Sequence, residues 1–489
     1  MNRLPRDRPA RVADGGATTT SLTPPLVGDL HLVGHQLPVP LVTGEEVPYL
    51  NLDYAASTPP LVRVAEAVQA FLPWYSSVHR GAGHKSQVAT AAYEGARERV
   101  HRFLGLRADD QVLFVRNTTD AINLLASALP DGCQVITFAV EHHANLLPWR
   151  RPGLSARHLP VPATPGDALE QLDSALRDRP AGPCLVAVTG ASNVTGEIWP
   201  IGELAEVAHR HGARILLDAA QLAPHHPIDV AGLEVDFVAF SGHKIYAPFG
   251  AGVLAGRGDW LRAPVPYLRG GGAVEFVTLD TVLWSDLPDR QEAGSPNVVG
   301  AVALGAACEA LSGYGIERLA AEEMALARYA RERIGAVEDV ELYRLWPETH
   351  PRLAIATFNV RGLWHSQLAA ILSAEYGIGV RHGCFCAHPL ILSLLHVGTT
   401  EAERIRTEIS DGAKGRVPGA VRASMGLGTT RDDVDALAAA LDSIVKWGPR
   451  WTYRLDAATG EYVPDPETRP MPALPIALAP VGARGGESS

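Results

Sequence analysis

The sequence predicts an α/β protein, with a mainly parallel seven-stranded sheet in a large domain and a smaller α+β domain after it. Three observations predict this. Short apolar runs between residues 111 and 241 alternate with amphipathic segments of helical period. The runs lack the polar alternation of a half-exposed strand, so they read as strands covered by helices on both faces. From about residue 300 the pattern changes to long Ala-rich helices, then to shorter strands.

Along the chain, residues 1–27 are rich in Arg, Pro, Gly and Thr and read as a disordered or draped arm. The large domain is expected over 28–300. Its strands are QVLFVR (111–116), CQVITFAV (133–140), PCLVAVTG (183–190), ARILLDAA (213–220) and VDFVAFS (235–241). The helices between them are DAINLLASAL, ALEQLDSALRD and IGELAEVAHRHG. The small domain is expected over 301–462. AVALGAACEALSGYG and ERLAAEEMALARYARERIGAV read as helices, RLAIATFNV and GIGVRHG as strands. RDDVDALAAALDSIV forms the last helix, with Thr430 as N-cap and Asp433 three residues on. Residues 463–489 read as a Pro/Ala-rich tail.

Composition excludes several classes. The 489 residues carry 43 basic and 54 acidic side chains, a net charge of −11, which argues against nucleic acid as a partner. No apolar run is long enough to suggest a membrane span. The amino terminus lacks the apolar core of a secretory signal. Five cysteines are too few for a disulfide framework, and a reducing cytoplasm is the expected compartment.

The chemistry lies at the strand ends. SGHKIYAPFG (241–250) follows an apolar run and delivers Lys244 at a strand's carboxyl end, where α/β sheets bind ligands. Asn193 follows PCLVAVTG, and Asp218 with Gln221 follows ARILL. The steps are 25 positions from Asn193 to Asp218 and 26 from Asp218 to Lys244, one strand–helix unit each. An amine, an acid and an amide converging there suit pyridoxal 5′-phosphate: the lysine attaches it, and the acid keeps its ring nitrogen protonated. Thr118 and Thr119, expected in the turn before a helix starting near Asp120, offer a phosphate cradle. Ser241 and His243 can close it. His142, in EHHANLLPW, is placed to stack on the ring and to shuttle protons. Cys386 lies in GVRHGCFCAHP beside Arg381, His382 and His388, and positive neighbours favour the thiolate. Arg422 precedes the last helix and suits an amino-acid carboxylate.

From about residue 49 to about 445 the chain resembles the class V aminotransferase family, and within it the group II cysteine desulfurases. The matching stretches are YLNLDYAAST, VHRGAGHKS, FVRNTTDAINLLA, EHHANLLPW, SNVTGE, LLDAAQ, FSGHKIYAPFG, EAGSPN, RHGCFCAHP and VRASMGLGTT. The resemblance implies a fold-type I pyridoxal phosphate enzyme with Lys244 as the Schiff-base lysine and His142 over the ring. It implies that Asp218 pairs with the ring nitrogen, and that Asn193 and Gln221 hold the phenolic oxygen. Thr118, Thr119, Ser241 and His243 would bind phosphate, and Arg422 with Arg381 would bind substrate. Cys386 falls where that group keeps its persulfide-forming cysteine. A homodimer, L-cysteine as substrate and a sulfur-acceptor protein follow from the same resemblance. The chain departs from the group in two places. Thirty-six positions separate Cys386 from Arg422, with an insertion around 391–419, and GCFCAHP replaces the usual polar residue or histidine before the cysteine. The alternative is another class V reaction (lyase, epimerase or transaminase of specialised metabolism) with Cys386 not catalytic.

Overall fold

The computed structural model describes residues 30–262, 265–412, 417–456 and 459–472. The 1–27 arm and residues 473–489 lie outside them.

Helices α1 (Val62–Phe71) and α2 (His84–Phe103) precede the large sheet. Its strands are β1 (Gln111–Val115), β2 (Gln134–Phe138), β3 (Ser155–Leu159), β4 (Cys184–Thr189), β5 (Arg214–Asp218), β6 (Phe237–Ser241) and β7 (Gly252–Gly256). They lie in the spatial order β1-β7-β6-β5-β4-β2-β3. β7 runs antiparallel to β1 and β6, and the other neighbours are parallel. Every residue of β4 is buried. Val186 and Val188 enter one hydrophobic cluster, Leu185 and Ala187 another on the opposite face. A strand's period of two therefore packs apolar side chains on both faces, as its unbroken apolar sequence requires.

Helices α3 (Thr118–Ala128), α4 (Pro165–Arg177) and α5 (Ile201–Arg210) cover the sheet. α3 starts two residues earlier than Asp120, and Thr118 and Thr119 occupy its first turn rather than the turn before it. The reason is local: the Asn117 side chain accepts from the Asp120 amide and so acts as N-cap. α6 (Val298–Tyr314) and α7 (Ile316–Gly335) follow, and α6 packs on α1 and α2.

A second sheet holds β8 (Val340–Tyr343), β9 (Ile355–Val360), β10 (Arg381–Gly383) and β11 (Ala420–Ser424), antiparallel in the order β8-β9-β11-β10. GIGVRHG is not one strand: Ile378–Gly379 pairs with Leu50–Asn51, and only Arg381–Gly383 joins this sheet. A Cβ on Gly379 would meet the Tyr49 ring, so the chain must approach without one there. α8 (His365–Tyr376), α9 (His388–Leu394), α10 (Thr399–Ser410) and α11 (Arg431–Trp447) complete this part. α9 and α10 fill the long span between Cys386 and Arg422. The Thr430–Asp433 capping box opens α11.

β12 (Tyr453–Asp456) and β13 (Glu461–Pro464) form an antiparallel hairpin against α8. The stretch from 463, read from composition as a tail, begins inside β13, and beyond it Thr468 donates to the Val42 carbonyl and Arg469 to the Ser373 hydroxyl. Glu375, 1% exposed, anchors the chain that enters β12. Its carboxylate accepts from the Arg450 and Trp451 amides, the Arg450 Nε and the Tyr453 hydroxyl at 2.9–3.1 Å. Glu375→Ala leaves these donors without their acceptor and is expected to cost on the order of 3 kcal/mol. Denaturant unfolding would read that loss, and limited proteolysis would show earlier cleavage after residue 448. An unchanged midpoint and cleavage pattern would refute the anchoring role.

Candidate active site

The parallel register brings strand ends together: Asp218 pairs with Thr189 on one side and Ala239 on the other. Loops after β2, β4, β5 and β6, the start of α3 and the 381–388 segment enclose a cavity of about 860 Å³. Thr118, Thr119, His142, Asn193, Asp218, Gln221, Ser241, His243, Lys244, Arg381, Cys386 and Arg422 all line it.

One end suits an anion. The Ser241 hydroxyl lies 2.8 Å from the Thr118 amide nitrogen, whose N–H it accepts, and 2.7 Å from the Thr118 hydroxyl. This holds the end of β6 against the first turn of α3, where amide groups and the helix dipole favour negative charge. Gly252 permits the approach, because a Cβ there would come within 2.6 Å of the Asn117 Cα. The His243 carbonyl accepts from the Thr58 amide, which fixes the turn that carries Lys244.

In the middle lie Asp218, Lys244 and His142. Asp218 is buried, and its one side-chain hydrogen bond among the described residues comes from the Ala220 amide at 3.0 Å. Burial raises its pKa, against which the Ala220 amide and the Lys244 charge pull it down. A buried carboxylate so poorly compensated calls for a cation beside it. Burial pushes the Lys244 amine down to about 8, with Arg422 adding to the shift and Asp218 opposing it. Burial, then Lys244, His143 and Arg422, push His142 down to about 3, so its ring is neutral. His142 Nδ1 accepts from the Ala144 amide at 3.0 Å, which puts the ring proton on Nε2. Glu141, fully buried, accepts from Asn145 Nδ2 and the Thr189 amide and ties the His142 segment to the end of β4.

The far wall comes from the second sheet. Arg422, on β11, is 3% exposed. Its guanidinium donates to the Asn193 carbonyl at 2.7 Å and pairs with Asp53 at 3.2 Å, while its buried Nε has no partner among the described residues. Asp53 also faces Arg381, at 3.9 Å. Asn193 Nδ2 donates to the Phe385 carbonyl at 2.8 Å, and the Arg422 guanidinium lies 4.9 Å from the Phe385 ring centre. Asn193 thus braces the Cys386 turn directly. Gln221 Nε2 donates to the Ala55 carbonyl at 2.8 Å, and its Oε1 is buried without a partner among the described residues. Cys386 is exposed to the cavity, and its carbonyl accepts from the His143 amide at 2.7 Å.

Sequence reasoning gave no role to Asp53 or Glu141, although both stand in the motifs NLDYAAST and EHHANLLPW. It had no signal at all for the rim. Thr459, Gly460 and Glu461 of the β12–β13 hairpin line the mouth of the cavity, and Glu461 pairs with His382 at 2.9 Å. The His382 ring stacks on His365, with centres 5.5 Å apart.

Residues 50–437 match the model of the family Aminotransferase class-V. The chain is 36% identical over 405 residues to a "Probable cysteine desulfurase" of Halalkalibacterium halodurans, which covers 81% of this chain and 93% of that protein. It is 37% identical over 415 residues to a "Cysteine desulfurase" of Klebsiella pneumoniae strain 342, covering 83% and 95%. The apo structure of the cysteine desulfurase from Thermococcus onnurineus superposes with a TM-score of 0.71 at 30% identity, over 86% of this chain and all of that one. The family match ends at residue 437, so the rim hairpin at 453–464 lies beyond it. On the extent of that match and of these relatives, the chain belongs to the class V aminotransferase family.

Proposed function

We propose that this protein is a pyridoxal 5′-phosphate-dependent cysteine desulfurase. It converts L-cysteine to L-alanine and takes the sulfur onto Cys386 as a persulfide. One observation carries the reading. A single cavity holds an amine, a poorly compensated buried acid and a helix N-terminus on one wall, with a thiol and a buried guanidinium on the other. The named activity of the relatives supports it.

The residues fit pyridoxal phosphate. Asp218 has no hydrogen-bonded cation among the described residues, and a protonated ring nitrogen would provide one. Gln221 Oε1 lacks a partner, and the Thr118–Ser241 cradle with Thr119 and His243 is built for an anion. His142 would lie against the ring, Asn193 and Gln221 near its phenolic oxygen, and Lys244 would attach it. When bound, the group supplies an electron sink for the carbon next to the substrate amine. Arg422 binds the substrate carboxylate beside Asp53. Lys244, its pKa pushed down to about 8, removes the α-proton. The Cys386 thiolate attacks the substrate sulfur: an S–S bond forms, the C–S bond breaks, and the released electron pair is protonated to give alanine.

Holoenzyme incubated with L-cysteine and a thiol reductant should form alanine and sulfide in equal amounts. A cysteine-dependent change in cofactor absorbance without alanine would contradict the proposal and favour another class V reaction. Cofactor loading into the apoprotein depends on pH through the Lys244 amine. The neutral amine is the reactive form, so loading should rise with pH to a plateau above about 8. Asp218 raises the Lys244 pKa, so Asp218→Asn should move the midpoint to lower pH. A shift upward would contradict this coupling.

The proposal includes a homodimer. The Val274–Val277 and Val282–Trp284 hairpin exposes Phe276, Val277, Leu279 and Leu283, each more than half exposed, an apolar face that monomers rarely leave open. The double variant Phe276→Glu/Leu283→Glu should sediment as a monomer where the wild type sediments as a dimer. Identical sedimentation would rule this face out as the interface.

A further inference from the structure

The cavity carries a second thiol, Cys384, that the reaction above does not use. Cys133, Cys184 and Cys308 are buried in apolar clusters, where burial pushes the thiols up, to about 12 for Cys133 and about 11 for Cys184. Cys384 is half-buried and Cys386 exposed, and both line the active-site cavity. They are the first and third residues of one tight turn. The Ala387 amide donates to the Cys384 carbonyl at 2.9 Å. The two central residues, Phe385 and Cys386, have φ of 53° and 55°. Left-handed φ at both centres is the mark of a type I′ turn, which non-glycine residues adopt only where the surroundings impose it. Here they do: Asn193 holds the Phe385 carbonyl, His143 the Cys386 carbonyl, and Arg422 covers the Phe385 ring. Two peptide units limit the Cα separation of residues 384 and 386 to about 7 Å even when extended, and a turn shortens it. A disulfide bridges Cα atoms about 4.4–6.8 Å apart.

We propose that Cys384 is a resolving thiol for the Cys386 persulfide, an inference that rests on the desulfurase reading. The Cys384 sulfur attacks the Cys386 sulfur. The Cys384–Cys386 bond forms, the bond to the terminal sulfur breaks, and hydrosulfide leaves with the proton of the Cys384 thiol. The persulfide is the oxidant, and the two cysteines are oxidised to a disulfide as its terminal sulfur is reduced to sulfide. The chain thereby releases sulfide without an acceptor protein. One residue between the cysteines makes a small, strained ring, which favours rapid reduction by a small thiol before the next turnover.

The test uses reduced, cofactor-loaded, full-length protein, freed of reductant and given one equivalent of L-cysteine. Wild type should release one alanine and one sulfide per protomer, lose the Cys384 and Cys386 thiols together, and turn over a second equivalent of L-cysteine only after dithiothreitol is added. Cys384→Ser should still form one alanine but keep the sulfur as persulfide on Cys386, with sulfide release at least tenfold lower. Peptide mapping of the wild type alone also decides the matter, so the result does not depend on the variant's folding. Alanine formed with persulfide retained on Cys386 in both proteins would overturn this inference alone. No alanine in either would overturn the desulfurase reading and this inference with it.

Discussion

Replacing Lys244 with alanine is expected to lower alanine formation from L-cysteine by about 10³-fold or more, with the fold intact. Three features of the site set that size. Lys244 is the one lysine lining the cavity among the described residues, and its amine is pushed down to about 8, so part of it is neutral near physiological pH. Arg381 and Arg422, also at the wall, carry guanidiniums, which do not serve as proton carriers. A positioned proton carrier contributes about 10²–10⁴-fold by itself, and loss of the attachment point adds to that. Lys244→Arg should fail equally, since it keeps the charge and loses the titration. A small primary amine in solution should restore part of the activity in the alanine variant by filling the vacated space. The checks are single-turnover alanine formation and circular dichroism. Activity within tenfold of wild type would remove Lys244 from the chemistry.

Cys386→Ala is the second large effect. It should abolish sulfide release and cut alanine formation by about 10³-fold or more, because the carbon–sulfur bond then has no thiolate to break it. The cofactor should still load, since Cys386 lies in the turn after β10 and is not among the residues that would hold it. That separation is the diagnostic. A lyase or transaminase using the same cofactor would keep its rate in the variant.

Much of this was legible because a buried parallel strand writes itself plainly. VDFVAFS, PCLVAVTG and ARILLDAA are apolar throughout because helices cover both faces, and the polar residues that end them must lie at the sheet's edge. Lys244, Asp218 and Asn193 were readable for that reason. The edge strand β3, Ser155–Leu159, was not, since SARHL is half polar and faces solvent. β7 was missed because GVLAG, between glycines, looks like a turn. Within the site, the sequence offers Asn193 as a cofactor residue but does not show that its Nδ2 donates to the Phe385 carbonyl. Such a contact joins residues 192 positions apart, and no local pattern reports it. The same holds for Asp53 against Arg422, and for Glu461 against His382, whose hairpin anchors on a single buried glutamate far from the motif-bearing segments. Strand ends are local facts; the partners that orient them are tertiary ones.

In the desulfurase proposed above, Lys244 and Cys386 act on one substrate in one cavity. The most direct test follows sulfur-labelled L-cysteine through a single turnover of holoenzyme, beside Cys386→Ala. Wild type should form one alanine per protomer, with the label on the polypeptide or released as sulfide, and the variant neither product. Alanine or a keto acid formed at the wild-type rate by Cys386→Ala would contradict it.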